Sequence, residues 1–107
     1  RFENLVATAL HKHVQWQHDV QGQETGLHYI RTKDGAEVDF ALSNKSQLTQ
    51  LVECKLSDPK PHRALLRFAR ELPQVRAVQV VRHLPHSHAL AEIQVTRADD
   101  YLNGLAA

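Results

Sequence analysis

A strand, an amphipathic helix and a second strand follow one another in the middle of the chain, and this succession constrains the fold more than any other feature. Residues 48–56 alternate between two sets of side chains, as a half-buried strand does. Apolar residues then recur at i, i+3, i+4 and i+7 from Leu65 to Leu72, and a second apolar run covers residues 76–82. Because such a crossover places its two strands parallel, the pattern predicts an α/β domain.

The remaining elements are predicted from the same two periodicities. They are a helix over 2–16, strands over 27–33, 36–42 and 92–96, and a final helix over 98–105. Asp34-Gly35 is typical of a two-residue type I′ turn, and Ser57-Asp58-Pro59 of a helix start. We therefore expect the order α-β-β-β-α-β-β-α, in three layers, with a central mixed sheet of four to five strands flanked by helices.

Composition narrows the class of protein. The chain has 107 residues, 42% of them hydrophobic, and its thirteen Lys and Arg nearly balance twelve Asp and Glu. This indicates one globular domain over 1–107, and it argues against a disordered acidic tail. No apolar run is long enough for a membrane helix, and the single Cys54 suits a reducing cytoplasm. Since the chain has no Met and opens inside a predicted helix, we expect a fragment of a longer protein.

Two charged residues interrupt the predicted third strand. Alternation places Glu53 and Lys55 on one face and turns Cys54 to the other, among apolar neighbours. Asp39 lies inside the preceding strand, so the two carboxylates are expected to be close. Because a divalent cation relieves their repulsion, we expect Asp39 and Glu53 to hold Mg²⁺ or Mn²⁺. Lys55 would orient a water or stabilise developing charge, and Glu3 would be an extra ligand or position the water.

These residues resemble a known family. The order of Glu3, Glu37-Val38-Asp39 and Glu53-Cys54-Lys55 is similar to the PD-(D/E)XK, restriction-endonuclease-like superfamily, although Val38 stands where the superfamily name has proline. More narrowly, the chain resembles the C-terminal nuclease-like domain of unknown function found on prokaryotic AAA+-type ATPases. The resemblance implies an endonuclease-like core and Mg²⁺-dependent hydrolysis of DNA, with Asp39, Glu53, Lys55 and Glu3 as the catalytic set. It also implies an ATPase part upstream.

Several alternatives stay open at this point. The domain could instead be a non-catalytic module that binds nucleic acid or protein and regulates the attached ATPase. Arg63, Arg67 and Arg70 form one stripe on the second helix, which is either a solvated face or a ridge that contacts DNA phosphates. One active site cuts one strand, so a double-strand break would need a homodimer or the upstream part. The clustered histidines are expected to be exposed residues of loops and helix ends, because a closed zinc site needs four ligands and the one cysteine faces the core.

Overall fold

The computed structural model describes residues 1–106, in which helices cover both faces of a six-stranded sheet. The elements are α1 (Phe2–Asp19), β1 (Thr25–Arg31), β2 (Glu37–Asn44), β3 (Gln47–Lys55), α2 (Arg63–Glu71), β4 (Arg76–Val81), β5 (His88–Leu90), β6 (Ile93–Arg97) and α3 (Ala98–Ala106). The strands lie in the order β1-β2-β3-β4-β6-β5. The predicted α/β class and three-layer arrangement are confirmed, with one strand more than expected.

The sheet is mixed, as predicted. β1, β2 and β3 form an antiparallel meander, whereas β3, β4 and β6 are parallel neighbours. The crossover from β3 through α2 to β4 places Glu53 beside Gln79 in the parallel ladder. The extra strand, β5, pairs antiparallel with β6 at the edge of the sheet. Its three residues are exposed, so no apolar alternation marks this strand in the sequence.

Two hydrophobic cores lie on opposite faces of the sheet. On one face, α1 buries Phe2, Val6 and Leu10 together with residues of α3. On the other face, α2 buries Leu65 and Ala69. Because helices cover both faces, five of the six residues of β4 are buried. The central strands are therefore fixed on both sides, and charged groups at their ends have a rigid support.

The sequence predicts a type I′ turn between β1 and β2, but the structure has this turn between β2 and β3. Asp34 and Gly35 lie in a five-residue connection between the paired residues Arg31 and Glu37, and only Gly35 of that dipeptide has a positive φ, +89°. Lys45 and Ser46, at φ 52° and 65°, instead join β2 to β3 as a two-residue turn. The dipeptide prediction was wrong because β1 stops pairing before Asp34.

The second helix also begins later than predicted. α2 starts at Arg63, with His62 as its N-cap residue, so Ser57-Asp58-Pro59 is not the helix start. The Oδ1 atom of Asp58 accepts a hydrogen bond from the backbone N–H of Lys60, 2.9 Å away, and thereby stabilises a turn. The helix ends at Glu71, before Pro73, as expected.

No helix within residues 1–106 is long and apolar enough to cross a membrane.

Candidate functional site

The site begins where the ladder between β2 and β3 ends. The last pair of this ladder is Phe40 with Val52, and the next residues along the two strands are Asp39 and Glu53. The backbone N–H of Asp39 donates to Oε1 of Glu53 at 3.0 Å, and the N–H of Cys54 donates to Oδ2 of Asp39 at 2.9 Å. Each carboxylate thus binds the backbone of the other strand, and the predicted proximity of Asp39 and Glu53 is confirmed.

A β-bulge aims Asp39 toward this junction. The register between β1 and β2 shifts between His28 and Ile30. Val38 consequently packs in the core under α2, whereas Phe40 packs in the core under α1. In a regular strand, residues two apart share a face, so the alternation is broken at Asp39. The bulge allows Asp39 to reach both the β3 backbone and the first turn of α1.

A third carboxylate, that of Glu3 in the first turn of α1, completes an acidic cluster. Glu3 is exposed as a residue, but its carboxyl lies close enough to that of Asp39 for the two groups to affect each other's charge. Partial desolvation against the sheet raises the pKa of Glu3, and the negative charge of Asp39 raises it further. Glu3 thus lies next to the acidic pair, and its role as an extra ligand or a water-positioning group stays a prediction.

Glu53 is the most deeply buried member of the cluster. Only 6% of the residue is exposed, and this burial raises the pKa of its carboxyl. Repulsion by Asp39 raises that pKa further, while the N–H of Asp39 and the nearby His62 and Lys55 oppose the shift. The Nζ atom of Lys55 lies 3.7 Å from Oε2, on the predicted face of the strand. At that distance the ammonium is not held by a direct hydrogen bond.

The carboxylate oxygens of Asp39 and Glu53 have the chemistry to bind a divalent ion that keeps part of its water shell. Carboxylate oxygens such as those of Asp39 and Glu53 are the ligands that Mg²⁺ prefers, and Mg²⁺ usually keeps several waters. Within residues 1–106, no group of three or more His, Cys, Asp or Glu side chains is arranged to hold a metal ion. Binding of Mg²⁺ or Mn²⁺ by Asp39 and Glu53 therefore stays a prediction, for an ion held by two protein side chains and water.

An open cleft of about 770 Å³ lies beside the cluster, between the start of α1 and the ends of β3 and β4. Its lining residues are Arg1, Phe2, Glu3, Asn4, Cys54, Lys55, Leu56 and Arg82. Three of these side chains are cationic and one is acidic. The cleft therefore presents positive charge immediately next to the carboxylates, and this charge would attract an anion.

The arginine stripe on α2 is exposed, as predicted, but two of its members are engaged in ion pairs. Arg67 contacts Asp34 at 3.0 Å and Glu71 at 3.2 Å, and Arg70 contacts Glu92 at 2.7 Å. Arg67 lines a second cleft, of about 590 Å³, together with Arg63, His62 and residues of the connection before β2. A DNA phosphate at this stripe would have to compete with the carboxylates that already pair with Arg67 and Arg70.

Sequence reasoning missed His62, Gln79 and Arg82. The Nδ1 atom of His62 lies 3.6 Å from Oε2 of Glu53. The fully buried Gln79 accepts from the backbone N–H of His62 at 2.8 Å and donates to the carbonyls of Asp58 and Lys60 at 3.2 and 2.7 Å. One signal was available for Gln79, because it is a polar residue inside the apolar run of residues 76–82.

Cys54 is directed into the core, as the alternation predicted. It packs against the hydrophobic cluster under α1. Burial raises the pKa of its thiol, and the negative charges of Asp39, Glu3 and Glu53 raise it further. A thiol in this environment stays protonated and is a packing residue, which agrees with the assignment of the chemistry to its two charged neighbours.

Fold and site together define a mixed α/β domain with an acidic cluster and an adjacent lysine at the ends of two sheet strands. The family model described as "Domain of unknown function (DUF4143)" matches residues 1–100. The chain therefore belongs to the DUF4143 family. No curated protein and no solved structure matches the chain.

Proposed function

We propose that this domain is a metal-dependent phosphodiesterase that acts on DNA and that Asp39, Glu53, Lys55 and Glu3 carry the reaction. The observation that supports this proposal most strongly is the reciprocal bonding of Asp39 and Glu53 at the end of the β2–β3 ladder. These bonds fix both carboxylates before any ligand arrives. The charged pattern also resembles that of the PD-(D/E)XK superfamily, in which the same residue types serve a nuclease.

In this proposal each residue of the site has a separate role in the reaction. Asp39 and Glu53 would hold Mg²⁺ or Mn²⁺, which when bound supplies positive charge to a phosphate oxygen and lowers the pKa of a water. Lys55, whose ammonium is not fixed by a hydrogen bond to Glu53, would contact the phosphate or the attacking water. Glu3, with its raised pKa, would accept and return a proton next to Asp39. Arg82 would bind the substrate in the adjoining cleft.

The experiment measures nicking of supercoiled plasmid DNA by the purified chain in MgCl₂ and in MnCl₂. Asp39→Asn retains an oxygen acceptor for the N–H of Cys54, and Lys55→Met retains the length of the side chain. Each is expected to lower the nicking rate at least about 100-fold. Asp99→Asn, on a carboxylate that is 82% exposed, is the matched control and is expected to keep full activity. Turnover that survives both site variants, with melting temperatures unchanged, would exclude the proposal.

The alternative is a non-catalytic module that binds nucleic acid or protein and regulates an attached AAA+-type ATPase. One observation favours it, namely that no three His, Cys, Asp or Glu side chains within residues 1–106 are arranged around a common metal position. This alternative predicts no metal-dependent hydrolysis. It also predicts that binding depends on Arg63 more than on Asp39, because Arg67 and Arg70 already have acidic partners. Binding of a DNA duplex to Asp39→Asn and Arg63→Ala, measured by fluorescence anisotropy, separates the two functions.

A further inference from the structure

The imidazole of His62 is held in one orientation and one tautomer. Its Nε2 atom lies 2.9 Å from the backbone carbonyl oxygen of Glu37. A carbonyl oxygen only accepts hydrogen bonds, so Nε2 carries the proton and donates it. The backbone N–H of the same residue donates to Gln79, which is completely buried. Ring and backbone are therefore both fixed, and Nδ1 is left without a proton in the neutral ring.

The free nitrogen of this ring faces the most buried carboxylate of the site. Nδ1 of His62 lies 3.6 Å from Oε2 of Glu53, too far for a hydrogen bond. In the neutral ring, Nδ1 presents its lone pair to Oε2 of Glu53, and a metal ion between the two atoms would bind both. Two atoms bound about 2.1 Å from one metal ion lie roughly 3.0 to 3.5 Å apart. Nδ1 of His62 and Oε2 of Glu53 therefore need to move only slightly closer to bind the same ion. The nearest ammonium, on Lys55, stays 3.7 Å from the same oxygen and balances its charge only in part.

The surroundings of His62 are those of a metal ligand. A histidine that binds a metal through one ring nitrogen commonly donates its other N–H to a backbone carbonyl or a carboxylate, which fixes the tautomer. The bond from Nε2 to Glu37 is of this kind. Imidazole nitrogen binds first-row transition metals, whereas Mg²⁺ takes oxygen ligands almost exclusively. A ligand nitrogen from His62 would therefore favour a transition-metal ion over Mg²⁺, which carboxylate ligands alone would do less.

We propose that Nδ1 of His62 and Oε2 of Glu53 together bind a divalent transition-metal ion, and that this makes the site prefer Mn²⁺ to Mg²⁺. The inference rests on the proposed function in one respect, since Glu53 belongs to the metal site assigned there. It concerns binding alone and does not require that the domain cleave DNA.

Calorimetric titration of the chain with MnCl₂, and separately with MgCl₂, tests the preference. We expect His62→Gln to raise the Kd for Mn²⁺ at least about tenfold and to change the Kd for Mg²⁺ less than twofold. His83→Gln, on an exposed histidine of the connection after β4, is the matched control and should leave both constants unchanged. An unchanged Kd for Mn²⁺ in His62→Gln, equal losses for both ions, or no binding of Mn²⁺ to the unsubstituted chain would overturn the inference.

Electron spin-echo spectroscopy of the Mn²⁺-loaded chain supplies a second readout that activity does not affect. Nitrogen modulation from one imidazole is expected in the unsubstituted chain and in Asp39→Asn, and its loss is expected in His62→Gln. If His62→Gln does not fold, Glu53→Gln serves instead and should lose the same signal. Modulation that persists without His62, or without the charge of Glu53, would overturn the inference. Failure of the nuclease proposal appears separately, as absent plasmid nicking with the nitrogen signal intact.

Discussion

Replacement of Gln79 by leucine tests whether one buried amide holds the loop that delivers His62 to the site. The side chain of Gln79 is fully buried and makes three hydrogen bonds, with the backbone of His62, Asp58 and Lys60. A hydrogen bond contributes about 1 kcal/mol net, so loss of all three should lower the free energy of unfolding by about 3 kcal/mol. Leucine is similar in volume, so packing adds little to this loss.

Urea unfolding followed by circular dichroism measures the effect. For a chain of this size, an m value of about 1.5 kcal/mol/M converts the loss into a fall of about 2 M in the unfolding midpoint. Gln94→Leu is the matched control, because Gln94 is exposed and its amide oxygen accepts a hydrogen bond from the exposed Arg76 side chain; its effect should stay within about 0.5 kcal/mol. The amide of His62 should also exchange with solvent faster in Gln79→Leu. A destabilisation below about 1 kcal/mol at an unchanged m value would refute the reasoning.

Two further predictions concern stability. Burial and Asp39 raise the pKa of Glu53 in the folded state above its value in the unfolded state. The protonated carboxyl therefore contributes stability below the unfolded-state pKa, and this stability is lost as the pH rises through the folded-state pKa. Glu53→Gln should therefore be more stable than the unsubstituted chain at pH 7, with the difference shrinking below about pH 4; a difference independent of pH would contradict this. Ser46→Gly relieves a left-handed backbone at φ 65° and should stabilise the hairpin by about 1 kcal/mol in thermal unfolding, whereas an unchanged or lower midpoint would argue against strain there.

The parts of the fold that depend on local periodicity were predictable from the sequence. The alternation in β3 and the helical spacing from Leu65 to Leu72 each lie within one element, and the parallel crossover follows from their order. The same alternation correctly separated Glu53 and Lys55 from Cys54. Asp39 and Glu53 could be found in the sequence because a carboxylate inside an apolar strand is costly to bury and therefore unusual.

The remaining features depend on contacts between residues far apart in the chain. The start of α2 is displaced because Gln79, on β4, binds the loop that the sequence assigned to a helix start. The bulge at Asp39 depends on the register with which β1 pairs with β2, and no pattern within β2 itself indicates it. His62 stands in a polar connection and shows its relation to Glu53 and the Glu37 carbonyl only after folding. These three features together give the site its geometry.

The reciprocal bonds between Asp39 and Glu53 have a consequence for how such domains diverge. Each carboxylate replaces a missing ladder bond of the other strand, so exchanging either acid for an apolar residue leaves a backbone N–H of the opposite strand without its partner. Selection for folding alone thus retains an oxygen acceptor at both positions, even in a descendant that no longer performs chemistry, but it does not retain the negative charge. Lys55 supports no backbone group in this way, since its ammonium only approaches Glu53 at 3.7 Å. In a related domain that has lost catalysis, folding therefore leaves position 55 free to vary, whereas positions 39 and 53 keep an oxygen acceptor.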